Sequence, residues 1–207
     1  MLKRVLIVVA TEEEADAMRR IHGVENSIDG YYSGNVSISL LVTGMGTEAT
    51  SWAMKKWLSS NIKPDLAINI GIAGSFREEI KIGDVVVPVS DTFADEDFEN
   101  GLCEIEADRN LAGRLAGKLK KACAITVALA TGTEPEIARL LKKYNPDIET
   151  MEGAAFFYIC SREQIPFLAL RSISNRVEPR NKKNWDIPLA LDNLSERLKE
   201  IMLLLTD

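Results

Sequence analysis

Residues 5–18 read VLIVVATEEEADAM, and the change of pattern at Thr11 decides how the chain is built. Six apolar residues stand together without polar alternation, as they do in a strand buried on both faces of a parallel sheet. A helical period then opens at Glu12 and runs to Ile21, with Thr11 in the capping position. Strand into helix is the repeating unit of α/β proteins. Moving outward, the same apolar runs recur at 38–43 (ISLLVT), 66–70 (LAINI), 84–89 (DVVVPV), 124–130 (AITVALA) and 167–174 (FLALRSIS). Helical periodicity occupies 47–60, 108–122, 134–144, 152–163 and 188–205. One segment, GYYSGNVSISLL at 30–41, breaks the rhythm. Its Ser33-Gly34-Asn35 centre suits a tight hairpin, so the expected architecture is α/β with a mixed central sheet.

A chain of 207 residues, 46% hydrophobic and 27% charged, has the composition of a globular protein with one core. We expect a single domain over residues 1–207, because no repeat, low-complexity tract or linker divides it. The net charge of −6 opposes attraction to a phosphate backbone, so nucleic acid is not an expected partner. Cys103, Cys123 and Cys160 are an odd number without C-x-x-C spacing, which suggests reduced thiols in the cytoplasm and neither a zinc site nor a disulfide framework. The run Val5–Ala10 is short for a signal-peptide core, and nothing approaches the ~20 apolar residues of a membrane span. Residues 91–101, DTFADEDFENG, are acidic and lack a core-facing pattern, which fits a solvated or mobile loop.

Open α/β sheets gather ligands at the carboxyl ends of their strands. Ala10, at the end of the first run, and Ile72, Ala73 and Gly74, after LAINI, are therefore candidate substrate contacts. The glycines of GMGTEAT (44–50) and GIAGSF (71–76) could let backbone approach a ligand, or could simply be turns. Neither matches a dinucleotide or nucleoside-triphosphate loop. The triplet Glu12-Glu13-Glu14 is explained by a capped, acidic helix start, with a catalytic role for one carboxylate as the alternative. In ETMEGAAFFYICSRE, 149–163, small and apolar residues follow Gly153, so Glu152 stands at the mouth of a buried helix. That acid could cap the helix or could hold two hydroxyls of a sugar, since a carboxylate only accepts. The single histidine, His22, beside Gly23, reads as a helix end and supports no triad. Trp52 and Trp57 read as core or subunit contact, which makes a homo-oligomer the expectation.

Three of these elements, EEE after the first strand, MEGAA opening a buried helix and RSISN (171–175) ending a later strand, together resemble the nucleoside phosphorylase and nucleosidase superfamily. The likeness spans almost the whole chain, and RSISNRVEPRNKKNWDIPLALDNL is similar to the C-terminal region of the futalosine hydrolase branch. The resemblance implies a single-domain, three-layer α/β/α fold, a small nucleoside substrate, hydrolysis of an N-glycosidic bond, and no metal or organic cofactor. Glu14 would activate water, Met151 would pack on the ribose, and Glu152 would bind its hydroxyls. Asn175 would stand where nucleosidases have an aspartate that donates to N7 of the departing purine. Trp185 would fall near the aromatic residue that closes the pocket.

The chemistry suits those residue types. A breaking ribosyl bond leaves positive character on the sugar and negative charge on the base, so a carboxylate base and a fixed donor are both useful. An amide cannot surrender a proton, so Asn175 would act by hydrogen bonding. Its two N–H groups could reach N7 and O6 of hypoxanthine, although asparagine also pairs with adenine through N6 and N7. Arg176, Arg180, Lys182 and Lys183 are candidates for the carboxylate that futalosine carries on its 5′ side, or form a solvated loop. Against a phosphorylase, three acids after the first strand would repel phosphate. A nucleoside-binding protein without turnover is the alternative from another class.

Overall fold

In a computed structural model, residues 3–21, 25–27, 30–94, 104–107, 114, 117, 119–179 and 181–206 are described. Among these residues, ten strands and five α-helices follow in the order β1 Lys3–Val9, α1 Glu12–Arg19, β2 Glu25–Ser27, β3 Gly30–Ser33, β4 Val36–Val42, α2 Thr47–Ser60, β5 Leu66–Ser75, β6 Val85–Phe93, β7 Glu104–Glu106, β8 Lys120–Thr126, α3 Glu134–Tyr144, β9 Ile148–Thr150, α4 Gly153–Arg162, β10 Phe167–Arg176 and α5 Ile187–Thr206. The centre is parallel, with β1 between β4 and β5 and β10 on the far side of β5. The hairpin of β3 and β4 is antiparallel, turning through Gly34 at φ +55°. The sheet is therefore mixed, and it curls: β5 pairs β10, β10 pairs β6, β6 pairs β8, β8 pairs β9, and β9 returns to β5.

Strand alternation builds the layers. Val5, Ile7 and Val9 face one way and pack with Ala15 and Met18 of α1 and Leu194, Leu198 and Ile201 of α5. Leu6 and Val8 face the other way, toward Met54 of α2 and Phe156 and Phe157 of α4. Both faces of β1 are covered, which is why its sequence is apolar throughout. The result is a three-layer α/β/α arrangement with a mixed sheet. No described helix is long and apolar enough to cross a membrane.

Three sequence expectations require correction. GIAG is not a turn: β5 continues without interruption to Ser75, and its glycines lie inside the strand where other groups press against it. Lys120–Ala122 belong to β8 rather than to a helix ending at 122, and that strand stops at Thr126 instead of Ala130. In residues 91–101, Asp91, Thr92 and Phe93 complete β6, and Asp91 is wholly buried; 95–101 lie outside the described residues. The acidic composition hid this because, in sequence, a buried carboxylate looks like any other. His22, Cys103 and Arg180 also lie outside the described residues, as does most of the helix expected from 108.

Candidate active site

The first βα junction holds its third acid in place. Thr11 caps α1, with its Oγ1 accepting from Glu14 N at 3.2 Å, and Glu14 occupies the reciprocal position of a capping box. Glu14 Oε2 accepts from Ala10 N at 2.8 Å and Thr11 N at 3.2 Å, while Oε1 accepts from Ile72 N at 3.1 Å across the strand boundary. Capping and placement in the cavity are thus the same geometry, whereas Glu12 turns outward to Arg19. Burial raises the Glu14 carboxyl above its ordinary value, opposed by the Arg171 charge and the Ala10 N–H and reinforced by Glu152. A carboxylate so held is rigid and more basic than usual.

Arg171, on which the sequence reading placed no role, is the buried counter-charge. Its cross-strand partner is Gly71. A Cβ at Gly71 would lie 2.7 Å from Glu14 Oε1 and 3.8 Å from Arg171 Cζ, so the missing side chain makes room for both groups. The guanidinium donates to Asn69 O at 3.2 Å, to Leu170 O at 2.9 Å and to Asn69 Oδ1. Asn69 is itself oriented by donating Nδ2–H to Val8 O at 2.9 Å. Burial disfavours the charged form of Arg171, and Glu152, Glu14 and Asp91 support it. The signal was available: an arginine inside an otherwise apolar strand must find acids.

Asn175 reaches the cavity through a bulge. Pairing of β10 with β5 slips between Ile173 and Asn175, so Ser174 and Asn175 together occupy one step of the partner strand. Ser174 Oγ donates to Asn175 Oδ1 at 2.8 Å, and Asn175 Nδ2 donates to Arg176 O at 3.0 Å. Because a carbonyl only accepts, the second contact fixes which end of the amide is nitrogen. One N–H is committed to Arg176, so the expected reach of both N–H groups to N7 and O6 is corrected to a single N–H for a ligand.

Glu152 stands at the N-cap of α4 but makes no side-chain cap bond there. Its Oε1 accepts instead from Gly46 N, at 2.8 Å, where φ of +91° suits glycine. The amide of the GMG segment therefore faces a carboxylate of the protein itself. Glu14, Asn175, Ala10, Ile72, Ala73, Gly74, Met151, Glu152 and Trp185 all line one cavity of about 360 Å³. Met45, Ile187 and Leu191 add apolar lining, and Glu13, of the acidic triplet, and Glu149, which sequence reasoning passed over, add acids. Among its described lining there is no lysine, arginine or histidine. Arg176 instead donates to Arg77 O at 3.3 Å, and Lys182 and Lys183 are exposed, so the structure does not bring these bases to the cavity wall. No cluster of three or more metal-ligating side chains occurs among the described residues.

Asp91 is the other buried acid, raised to about 7 by burial against the hydrogen bond from Thr126 and the Arg171 charge. A carboxyl raised in the fold contributes most stability below its unfolded value of about 4, and that contribution is lost as pH rises toward 7. Chemical denaturation of wild type and Asp91→Asn should therefore diverge in slope between about pH 4 and pH 7, with wild type losing stability faster as pH rises. Parallel curves would show that Asp91 is not proton-loaded by folding.

A futalosine hydrolase of Thermus thermophilus is 26% identical over 180 residues, 78% of this chain and 80% of its own. A 5′-methylthioadenosine/S-adenosylhomocysteine nucleosidase of Psychromonas ingrahamii is 25% identical over 224 residues, 95% of this chain and 96% of its own. The solved futalosine hydrolase of Helicobacter pylori superposes with a TM-score of 0.83 at 19% identity, covering 97% of both chains, and so shares the fold. A 5′-methylthioadenosine/S-adenosylhomocysteine nucleosidase of the same organism, complexed with a substituted pyrrolidin-3-ol, gives 0.84 at 19% identity, covering 97% of both chains. The model of the phosphorylase superfamily matches residues 4–206, nearly the whole chain, and the protein belongs to that superfamily.

Proposed function

We propose that the chain is a nucleosidase that hydrolyses the N-glycosidic bond of a purine nucleoside, with futalosine as substrate and hypoxanthine as the released base. The observation that carries the hydrolytic reading is Glu14, held by three backbone N–H groups in a cavity whose described wall carries four carboxylates and no cation. Such a wall repels phosphate and suits a neutral nucleophile. In the reaction the C1′–N9 bond breaks with its electron pair passing to the purine. Water adds its oxygen to C1′ while Glu14 takes a water proton and later returns it to solvent. Asn175 donates N–H to N7 and steadies the charge on the base, which draws its own proton from solvent. Glu152 accepts from the ribose hydroxyls, and Met151 and Trp185 pack against the nucleoside.

Futalosine is favoured by Asn175 within RSISN and by the relative from Thermus thermophilus. Methylthioadenosine is the second reading, favoured by the apolar wall of Met45, Trp185, Ile187 and Leu191 and by the lack of a described cation to meet a 5′ carboxylate. Futalosine, aminofutalosine, methylthioadenosine and inosine should be incubated separately in buffer with and without phosphate, and the liberated purine identified. Hypoxanthine from futalosine without phosphate is expected. Adenine from methylthioadenosine alone selects the second reading, phosphate dependence selects a phosphorylase, and tight binding without product selects a binding protein. We also infer a homo-oligomer that covers Trp52, which is 65% exposed on α2 while Trp57 packs on the core; sedimentation velocity reads the assembly directly.

A further inference from the structure

The N-terminus of α4 is capped from outside its own cap residue. Gly153 N donates to Thr150 Oγ1 at 3.2 Å, and Ala154 N donates to Thr126 Oγ1 at 2.8 Å. Thr126 Oγ1 in turn donates to Asp91 Oδ1 at 2.8 Å, Thr150 Oγ1 lies 3.4 Å from Asp91 Oδ2, and the two hydroxyls are 3.0 Å apart. One buried carboxylate on β6 thus gathers hydroxyls from β8 and β9, and these satisfy the first two N–H groups of the helix. The fit is close: a Cβ on Gly153 would stand 2.0 Å from Asp91 Oδ2. A capping side chain ordinarily accepts from the second or third N–H of its helix. Here the second, Ala154 N, is already taken by Thr126, as the first is by Thr150, and Glu152 reaches Gly46 N instead.

We propose that Asp91 is a positioning residue for substrate binding: acting through Thr126 and Thr150, it relieves Glu152 of capping so that this carboxylate faces the sugar. The inference rests on the reading of Glu152 as the ribose acceptor. Without Asp91 the two threonine hydroxyls are no longer held toward the first N–H groups of α4, and the Glu152 side chain, at the cap position, becomes the competing acceptor. Its carboxylate then turns from Gly46 toward its own helix, and ribose binding weakens while Glu14, on another element, is left in place.

The test is a double-mutant cycle in KM and kcat on the nucleoside that the full-length wild type turns over. Glu152→Gln alone should raise KM, about 10-fold or more, as loss of a charge-assisted contact. Asp91→Asn in the wild-type background should raise KM about 10-fold with a smaller change in kcat, and in the Glu152→Gln background should change KM little, because both act through one carboxylate. Thr126→Val should reproduce Asp91→Asn, and Thr126→Ser, which keeps the hydroxyl, should restore wild-type KM. The threonine pair also decides the matter if Asp91→Asn does not fold. An unchanged KM in Glu152→Gln would remove the ribose reading itself. A raised KM there, with Asp91→Asn or Thr126→Val either silent or fully additive, would leave that reading standing and overturn the relay.

Discussion

Replacing Glu14 by glutamine is expected to lower kcat by about 10²-fold or more while leaving KM within a few-fold of wild type. The amide keeps the volume and an acceptor oxygen but cannot take a proton from water. It also turns an N–H toward at least one of the donors on Ala10, Thr11 and Ile72, where the carboxylate now accepts from all three. Both consequences fall on the catalytic step, because the ribose and base contacts assigned to Glu152 and Asn175 come from other elements. Steady-state kinetics, with a thermal melt to show that the variant is folded, make the comparison. A variant with normal turnover would place the base elsewhere in the cavity, and Glu13 or Glu149 would then be examined next.

Arg171→Met should be the most damaging substitution to stability. Arg171 is 2% exposed, and its guanidinium stands among the charges of Glu14, Glu152 and Asp91, with two backbone carbonyls and the Asn69 side chain as acceptors. Removing one member of a buried charge cluster costs about 3–5 kcal/mol, because the others remain uncompensated. Denaturant midpoints measure that loss. A second readout separates charge from packing. The Arg171 charge holds the Glu14 carboxyl down against burial, so its loss raises that carboxyl further and moves the acid limb of the pH–rate profile to higher pH. A variant with an unchanged midpoint and an unmoved limb would show that Arg171 does not serve as the counter-charge.

Much of this architecture was readable from local pattern. The apolar runs that became β1, β5, β6 and β10 are buried on both faces, and burial on both faces is what removes polar alternation from a sequence; β4 is only half-buried along most of its length, and β8 opens on exposed lysines. The hairpin at Gly34 was legible because a two-residue turn demands particular residues. What escaped detection depended on contacts between distant segments. Gly71 and Gly74 read as possible turns because a glycine carries no mark of what presses against it; here these are the Glu14 carboxylate and the Asn175 amide. Short strands such as β7 and β9, three residues each, leave no period to detect. Asp91 and Arg171 were missed for one reason. A buried charge is identified by its partners, and the side chains hydrogen-bonded to these two include Thr126, 35 residues from the acid, and Asn69, 102 residues from the base. Within the cavity, MEGAA and RSISN drew attention to Glu152 and Asn175, but only the bulge at Ser174 explains how the amide is aimed.

The most direct measurement is a crystal structure with a nucleoside analogue whose scissile C–N bond is replaced by C–C, so that the complex survives. The proposed mechanism predicts an ordered water hydrogen-bonded to the Glu14 carboxylate and about 3–3.5 Å from C1′, on the face opposite the base, with Asn175 Nδ2 donating to N7. A complex in which Glu14 lies on the base side, or in which no water separates it from the anomeric carbon, would contradict it.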